Sequence, residues 1–316
     1  EYNSNIYTIM SYDHFYNSIK TNAYDDDLNG TYLIDRKTNK AILSETWQPY
    51  DIEAFKFLYG LRPNYNSEDN TYFFTEVAAL ELIHDLGGYD TIDLTGSKAD
   101  NDIKNMQINL GGGAFYQAGK TTMKWSGDES VTGHVYTTSF DTEIEKFIGS
   151  DGKDHVALGP TSDTIITNGG DDLILFAGFY KSIKSIKIDS GAGNDTVQAI
   201  IANINDVSSL LDINGGSGYD RLQIFTDEEN IDLSLYIRHF DNFEFYIFES
   251  ASPQIITIDS ADFIETSSLL LTIGGGSEDT VILPDGAILD DSSDEYFNYY
   301  SLNDITIALE VDLMIV

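Results

Sequence analysis

The chain has 316 residues, 53 of them acidic and 17 basic, for a formal net charge of −36, with no cysteine and 41% hydrophobic residues. That balance excludes a nucleic-acid partner, because no basic stripe exists to neutralise phosphates, and it excludes a disulfide framework. The hydrophobic share is ample for a core, so this is not a disordered composition. A compact fold must then relieve its self-repulsion, which carboxylates that ligate cations would do. Halophilic adaptation also produces acidity, but it would not place Asp after Gly at a fixed interval.

Taken in chain order, residues 1–70 stand apart from the rest. Asn17–Thr46 is polar, with turn signals at Asp25–Gly30. Pro49–Tyr59 is helical by period, with Ile52, Phe55 and Leu58 or Tyr59 on one face, Gly60 at its stop and Pro63 beyond. Val77–Ile83 fits a strand or a short helix. From residue 71 onward the pattern is β. Thr91–Leu94, Ile103–Leu110, Asp163–Ile166 and Ile183–Ile188 alternate with Gly, Asp and Asn punctuation. Ile200–Leu211 matches a helical face or an excursion, and residues 230–316 read as further strands. No run of 18 apolar residues predicts a membrane span, and the N-terminus has neither the basic start nor the apolar run of a signal peptide.

Within the β region stands a nine-residue ladder, Asp154, Asp163 and Asp172, each followed by one residue and then an apolar one. A full copy of the nonapeptide G-G-x-G-x-D-x-U occupies Gly215–Leu222. This repeat winds into a calcium-binding parallel β-roll. Glycines permit turns closed to residues with a Cβ, freed carbonyls and the Asp carboxylate supply the all-oxygen shell calcium prefers, and the apolar residue points inward. Loops eighteen apart should share an edge, so Asp154 and Asp172 are expected on one edge and Asp163 on the other. The steps from Asp172 to Asp195 and from Asp195 to Asp220 are not multiples of nine, which predicts insertions there. The calcium loops so assigned are Asp85, Gly87 and Asp90; Gly149, Asp151, Gly152 and Asp154; Asp163; and Gly169, Asp171 and Asp172. Gly191, Gly193 and Asp195, then Gly215, Gly216, Gly218 and Asp220, and finally Gly275 and Asp279 complete them. Ordinary Asp/Gly turns between strands are the alternative.

Five landmarks in order resemble serralysin-type metzincins, the secreted bacterial zinc proteases. They are Ile9-Met10-Ser11-Tyr12, similar to the Met-turn, and the helix P-Y-D-I-E-A-F-K-F-L-Y-G at Pro49–Gly60. Then come Asp85–Asp93 (D-L-G-G-Y-D-T-I-D), Ile108–Phe115, and Ile144–Gly149 (I-E-K-F-I-G). The resemblance covers about residues 6–175. It implies a metzincin remnant over 1–70, a calcium-binding β-roll over 71–225, and a further β module over 226–316. The fold class expected is therefore mainly β, a parallel β-roll or β-solenoid with a small α-containing remnant. The tail Asp312-Leu313-Met314-Ile315-Val316 is similar to those of type I secretion substrates, which implies an extracellular bacterial protein and that machinery as a partner. By the same resemblance Met10 would lie beneath the zinc, and Tyr12 would ligate it and stabilise the transition state.

The departures limit this. The zinc helix H-E-x-x-H is absent, and no two of His14, His84, His134, His155 and His239 are four apart, as ligands on one helix face must be. Zinc and a protein substrate therefore belong only to a longer parent, of which this chain, opening in what resembles mid-domain, would be the C-terminal portion. Alone it should be inactive. Past residue 200, Leu269–Val281 and Tyr299–Val311 are more similar to the terminal modules of repeat-in-toxin adhesins, which keeps a non-enzymatic adhesin or surface-layer parent open. A sugar-polymer enzyme on a calcium-loaded β-solenoid is a third reading, with Lys181, Lys184 and Lys187 as its basic residues. No Ser/His/Asp arrangement, Walker loop or dinucleotide fingerprint is evident.

Overall fold

A computed structural model describes residues 33–35, 40–42, 49–60, 65–73, 79–95, 108–113, 115–117, 121–122, 130–131, 134–177, 185–201, 210–233, 239–258, 270–302 and 305–316. Met10 and Tyr12 lie outside them. The fold is mainly β, with many parallel strands and, among the described residues, one short helix. The chain divides into two compact units, Glu1–Ser162 and Asp163–Val316.

In the first unit the helix Pro49–Tyr59 forms where its period predicts, with Pro in its first turn and Asp51 near its positive end. Gly60 ends it at φ 82°, its N–H bonded to the Lys56 carbonyl. The expected apolar face is covered only in part: Ile52 and Phe55 are half-buried, whereas Leu58 is 64% exposed and Tyr59 81%. Lys56 of this helix pairs with Asp141, and Tyr50 meets Phe140 edge-on. Val77–Ile83 resolves as the strand Ala79–Ile83, parallel to His134–Thr138. Thr91–Asp93 runs parallel between Thr71–Phe73 and Lys146–Ile148, and Ile108–Asn109 pairs with His155–Ala157.

In the second unit successive strands alternate between two parallel sheets. The first sheet takes Thr164–Ile166, Ile186–Asp189, Leu211–Asn214 and Phe240–Asp241. The second takes Leu173–Ala177, Thr196–Ile200, Arg221–Phe225, Phe245–Glu249 and Leu270–Gly274, then Ile305–Glu310, which an antiparallel strand, Phe297–Leu302, covers. A third parallel sheet joins them with Asn230–Asp232, Ile255–Thr257, Thr280–Ile282 and Met314–Ile315. Leu173 lies opposite Thr196, and Thr196 opposite Arg221, so the steps of 23 and 25 residues are single rungs in register. The extra residues fall between a second-sheet strand and the next first-sheet strand, where 178–184 and 202–209 lie outside the described residues. Ile200 ends a strand and Leu211 begins one; any helix between them lies outside the description.

Alternation sets the core. The residue two places after each corner acid is buried: Ile165, Ile174, Val197, Leu222 and Val281 are each 0% exposed. Each such side chain contributes about 1.5–3 kcal/mol on burial. No helix among the described residues is long and apolar enough to cross a membrane.

Candidate functional site

Seven of the acids assigned from sequence, Asp90, Asp154, Asp163, Asp172, Asp195, Asp220 and Asp279, sit at corners, one residue before a strand, and one hydrogen-bonding rule organises most of them. The backbone N–H on one rung donates to the carboxylate of the corner residue on the next. Asp172 N donates to Asp195 Oδ1 at 2.7 Å, Asp195 N to Asp220 Oδ1 at 2.8 Å, and Asp220 N to Glu244 Oε2 at 2.7 Å. At the third sheet Gln254 N donates to Asp279 Oδ1 at 2.8 Å. The first unit repeats the rule: Asn70 N donates to Asp90 Oδ1 at 2.9 Å, and Asp90 N to Glu145 Oε2 at 2.8 Å. The preceding residue runs the other way. Asp171 Oδ1 accepts from Asn194 N, and Asn194 Oδ1 from Tyr219 N, both at 2.9 Å. Corner amides inside a sheet edge would otherwise lack partners, which is a physical reason for an acid at each corner.

Glu takes the place of Asp where the turn changes shape. Asp220 O accepts from both Glu244 N and Phe245 N, and Asp90 O accepts from both Glu145 N and Lys146 N. The longer side chain reaches back across this altered turn. Sequence reading missed Glu145, Glu244, Asn70 and Gln254 as corner residues because no glycine announces them. The available signal was an acid directly after a buried apolar residue and just ahead of another, as in Ile144-Glu145-Lys146-Phe147 and Phe243-Glu244-Phe245-Tyr246.

The glycines serve the stacking. Asn168, Gly191 and Gly216 occupy equivalent corner positions with φ of 64°, 87° and 92°, where Gly and Asn are tolerated, and Asn242, opposite Gly215, takes φ 59° in the shorter turn that follows Asp241. A Cβ on Gly193 would overlap the Gly170 carbonyl oxygen, and one on Gly218 the Gly193 oxygen. Nor are all the turn carbonyls freed. Asn168 O accepts from Ala192 N, Ala192 O from Gly170 N, Gly191 O from Ser217 N, and Ser217 O from Gly193 N. Gly169 and Ala192 form an isolated parallel bridge, Gly215 N donates to Asp241 O, and a Cβ on Gly275 would meet Asp279 Oδ2 at 2.7 Å.

Other assigned residues are not stacked in this way. Asp154 Oδ2 accepts from Ser150 N at 2.7 Å within its own turn, in which Gly149 and Gly152 are buried and Asp151 exposed. Asp85 Oδ2 accepts from Tyr72 at 2.5 Å and from the Asn70 amide at 3.2 Å, and Gly87 N donates to Asp85 Oδ1. Asp163 lies at the opposite corner, entering the first sheet. Its carbonyl accepts from Lys187 N, and strand register places Ile186, then Leu211, over it, so no carboxylate follows it there.

The stacked acids are buried: Asp90 1%, Asp172 2%, Asp195 1%, Asp220 0% and Asp279 5% exposed. Burial pushes the carboxyl of Asp195 up to about 7, against the N–H of Asp172 that favours its charge, with Asp220 and Asp171 adding repulsion. Asp220 rises to about 6 from burial and from Glu244 beside it, and Asp90 and Asp154 rise to about 7, burial first in each case. Oδ2 of Asp195 and of Asp220 are buried atoms with no hydrogen-bond partner among the described residues.

This donor set is all oxygen and strongly anionic, which fits calcium. Among the described residues no three acidic or histidine side chains converge on one point. The fit is therefore of one carboxylate per rung and not of a ready cage. Of the histidines, His84 Nδ1 meets Ser139 Oγ at 2.7 Å, and burial lowers its pKa. Ser139 is 1% exposed while His84 is half-buried, so the serine hydroxyl of this pair is not open to solvent. Comparison with protein-family models and with curated proteins finds no match.

Proposed function

We propose that this chain is a calcium-binding β-roll or β-solenoid that drives the folding and export of a secreted, serralysin-like zinc metalloendopeptidase, of which it is the C-terminal portion. One observation carries the reading. Asp195 and Asp220 are buried in a column of like charge, each with a carboxylate oxygen that no hydrogen bond satisfies. Unpaired buried charge is strongly unfavourable, so such a column favours either protons or a bound cation. Calcium, when bound, supplies the positive charge the column lacks. Where calcium is scarce the acids repel and oppose folding; where it is plentiful the folded state alone gains the binding energy.

Strand alternation between parallel sheets supports the roll. The tail is similar to those of export substrates, and in the fold it forms a strand, Met314–Ile315, parallel to Thr280–Ile282, with Leu313 5% exposed and Val316 79%. Proteolysis, the zinc site and any role of Tyr12 belong to the parent in this proposal. Parallel rungs that continue to Met314–Ile315 favour a second reading, the terminal module of an adhesin or surface-layer protein.

Calorimetric titration of the chelator-treated chain with calcium, with magnesium as control, tests the binding. Saturable binding selective for calcium is expected, and no heat above the magnesium control would sink the proposal. The coding sequence upstream of Glu1 tests the parent: H-E-x-x-H shortly before it supports the protease, and its absence the adhesin.

A further inference from the structure

We propose that a trough at the exit end of the second parallel sheet binds an arginine side chain presented by a basic polypeptide partner. The trough, of about 270 Å³, is lined chiefly by Ile200, Phe225, Asp227, Glu249, Ser250 and Ala251. That volume lies below the range of drug-sized ligand pockets and suits one long side chain. None of these residues is a corner acid, so the proposal goes beyond the calcium reading and stands apart from it. Three observations carry it.

First, register sets Ile200, Phe225 and Glu249 opposite one another on consecutive strands, each one strand spacing, about 4.8 Å, from the next. The row runs from an apolar floor to a carboxylate, with Ile200 40% exposed and Phe225 half-buried. Arginine lays its stem along apolar surface and its guanidinium on a carboxylate or an aromatic face, and this row offers all three. Second, Glu249 is already oriented. Gln198 Nε2 donates to Gln223 Oε1 at 2.8 Å, and Gln223 Nε2 donates to Glu249 Oε1. This relay fixes one carboxylate oxygen and leaves Oε2 without a hydrogen-bond partner among the described residues. An acceptor held in place loses little freedom on binding. Third, the charge is unmatched. Asp227, which is exposed, lines the same trough, and among the described residues no basic side chain pairs with it or with Glu249.

The same features select the occupant. A guanidinium can lie flat on the Phe225 ring while its N–H groups meet Glu249, which a compact ammonium cannot do at once. The two carboxylates and the formal net charge of −36 repel an anionic partner and attract a basic one. Free arginine would bring its own carboxylate against that charge, whereas an arginine within a polypeptide brings none. Ser250 and Ala251 are small and exposed at the trough, so a backbone can pass close by.

The test titrates the full chain, in calcium and labelled at its isoleucine methyl groups, with the tripeptides Gly-Arg-Gly and Gly-citrulline-Gly, both blocked at their termini. Citrulline keeps the shape of arginine without its charge. The Ile200 methyl signal, followed by NMR, should shift saturably with the arginine peptide and stay still with the citrulline peptide. The half-saturating concentration should rise about fivefold or more in Glu249→Gln and in Asp227→Asn. It should keep the wild-type value in Asp291→Asn, which removes one charge from an exposed acid outside the trough. Glu249→Gln keeps an oxygen for the Gln223 amide, and circular dichroism checks that it folds; if it does not, Asp227→Asn decides. Equal shifts with both peptides, an equal loss in Asp291→Asn, or an Ile200 signal that neither peptide moves would overturn the site. A chain indifferent to calcium would refute the calcium reading and leave this test as it stands.

Discussion

Replacing Asp195 in two ways separates its backbone-capping role from its charge. In Asp195→Ala the N–H of Asp172 loses the acceptor it holds at 2.7 Å, in a corner where Asp172 is 2% exposed. A buried donor left without a partner costs about 1–3 kcal/mol. In a unit such as Asp163–Val316, each kcal/mol lowers the melting temperature by about 2–4 °C, so a loss of about 4–8 °C is expected near 2 kcal/mol. Asp195→Asn keeps an oxygen for the same N–H and removes a charge that burial and the carboxylates of Asp220 and Asp171 oppose. In chelator, Asp195→Asn should therefore melt at or above the wild-type temperature, while Asp195→Ala melts below it in every condition. In calcium the order changes, with wild type above both. Scanning calorimetry of the three proteins in each condition is the assay. If Asn and Ala are equally damaging in chelator, the carboxylate is not acting as a backbone cap and the corner rule is wrong.

Further outcomes follow from the same geometry. Between pH 4 and pH 7 the folded chain should hold protons that the unfolded chain has released, because burial raises Asp90 and Asp195 to about 7 and Asp220 to about 6, above the ordinary carboxyl value near 4. In chelator that contribution is complete below about pH 4 and is lost as pH rises through about 7, so the melting temperature should fall over this window. A melting temperature that rises from pH 5 to pH 8 in chelator would contradict the burial of these acids. Gly193→Ala should destabilise far more than Gly60→Ala, since both glycines have positive φ but only the first would drive its Cβ into a neighbouring rung. Gly60→Ala should cost about 1–2 kcal/mol, read by denaturant titration. Phe57→Ser should leave the melting temperature unchanged, because Phe57 is 89% exposed.

Local signals in the sequence were legible where they were complete. The period and stop residue of Pro49–Tyr59 marked its helix, and the apolar residue two places after each Asp marked the inward positions Ile165, Ile174, Val197 and Leu222. The rung length was less visible. It depends on which residues stack, and neither a 23-residue nor a 25-residue step is a repeat unit that nine-residue spacing would suggest. Glu145 and Glu244 were hidden for a related reason: their function as corner acids is defined by the rung before them, 55 and 24 residues earlier, and not by any adjacent glycine. The exposure of Leu58 and Tyr59 was also not legible, because periodicity states which residues share a helix face and not what covers it. The apparent role of the glycines changed as well. Sequence suggested that they free carbonyls, whereas the turns spend several of those carbonyls on the next rung.

The central claim, that stacked acids make folding of this chain depend on calcium, is tested most directly by far-UV circular dichroism and thermal melting in calcium and in excess EGTA. The account predicts a gain of β-structure on adding calcium and a melting temperature that rises with calcium concentration. The same stable fold, with the same melting temperature in both conditions, would contradict it and leave the column as a backbone cap without a cation.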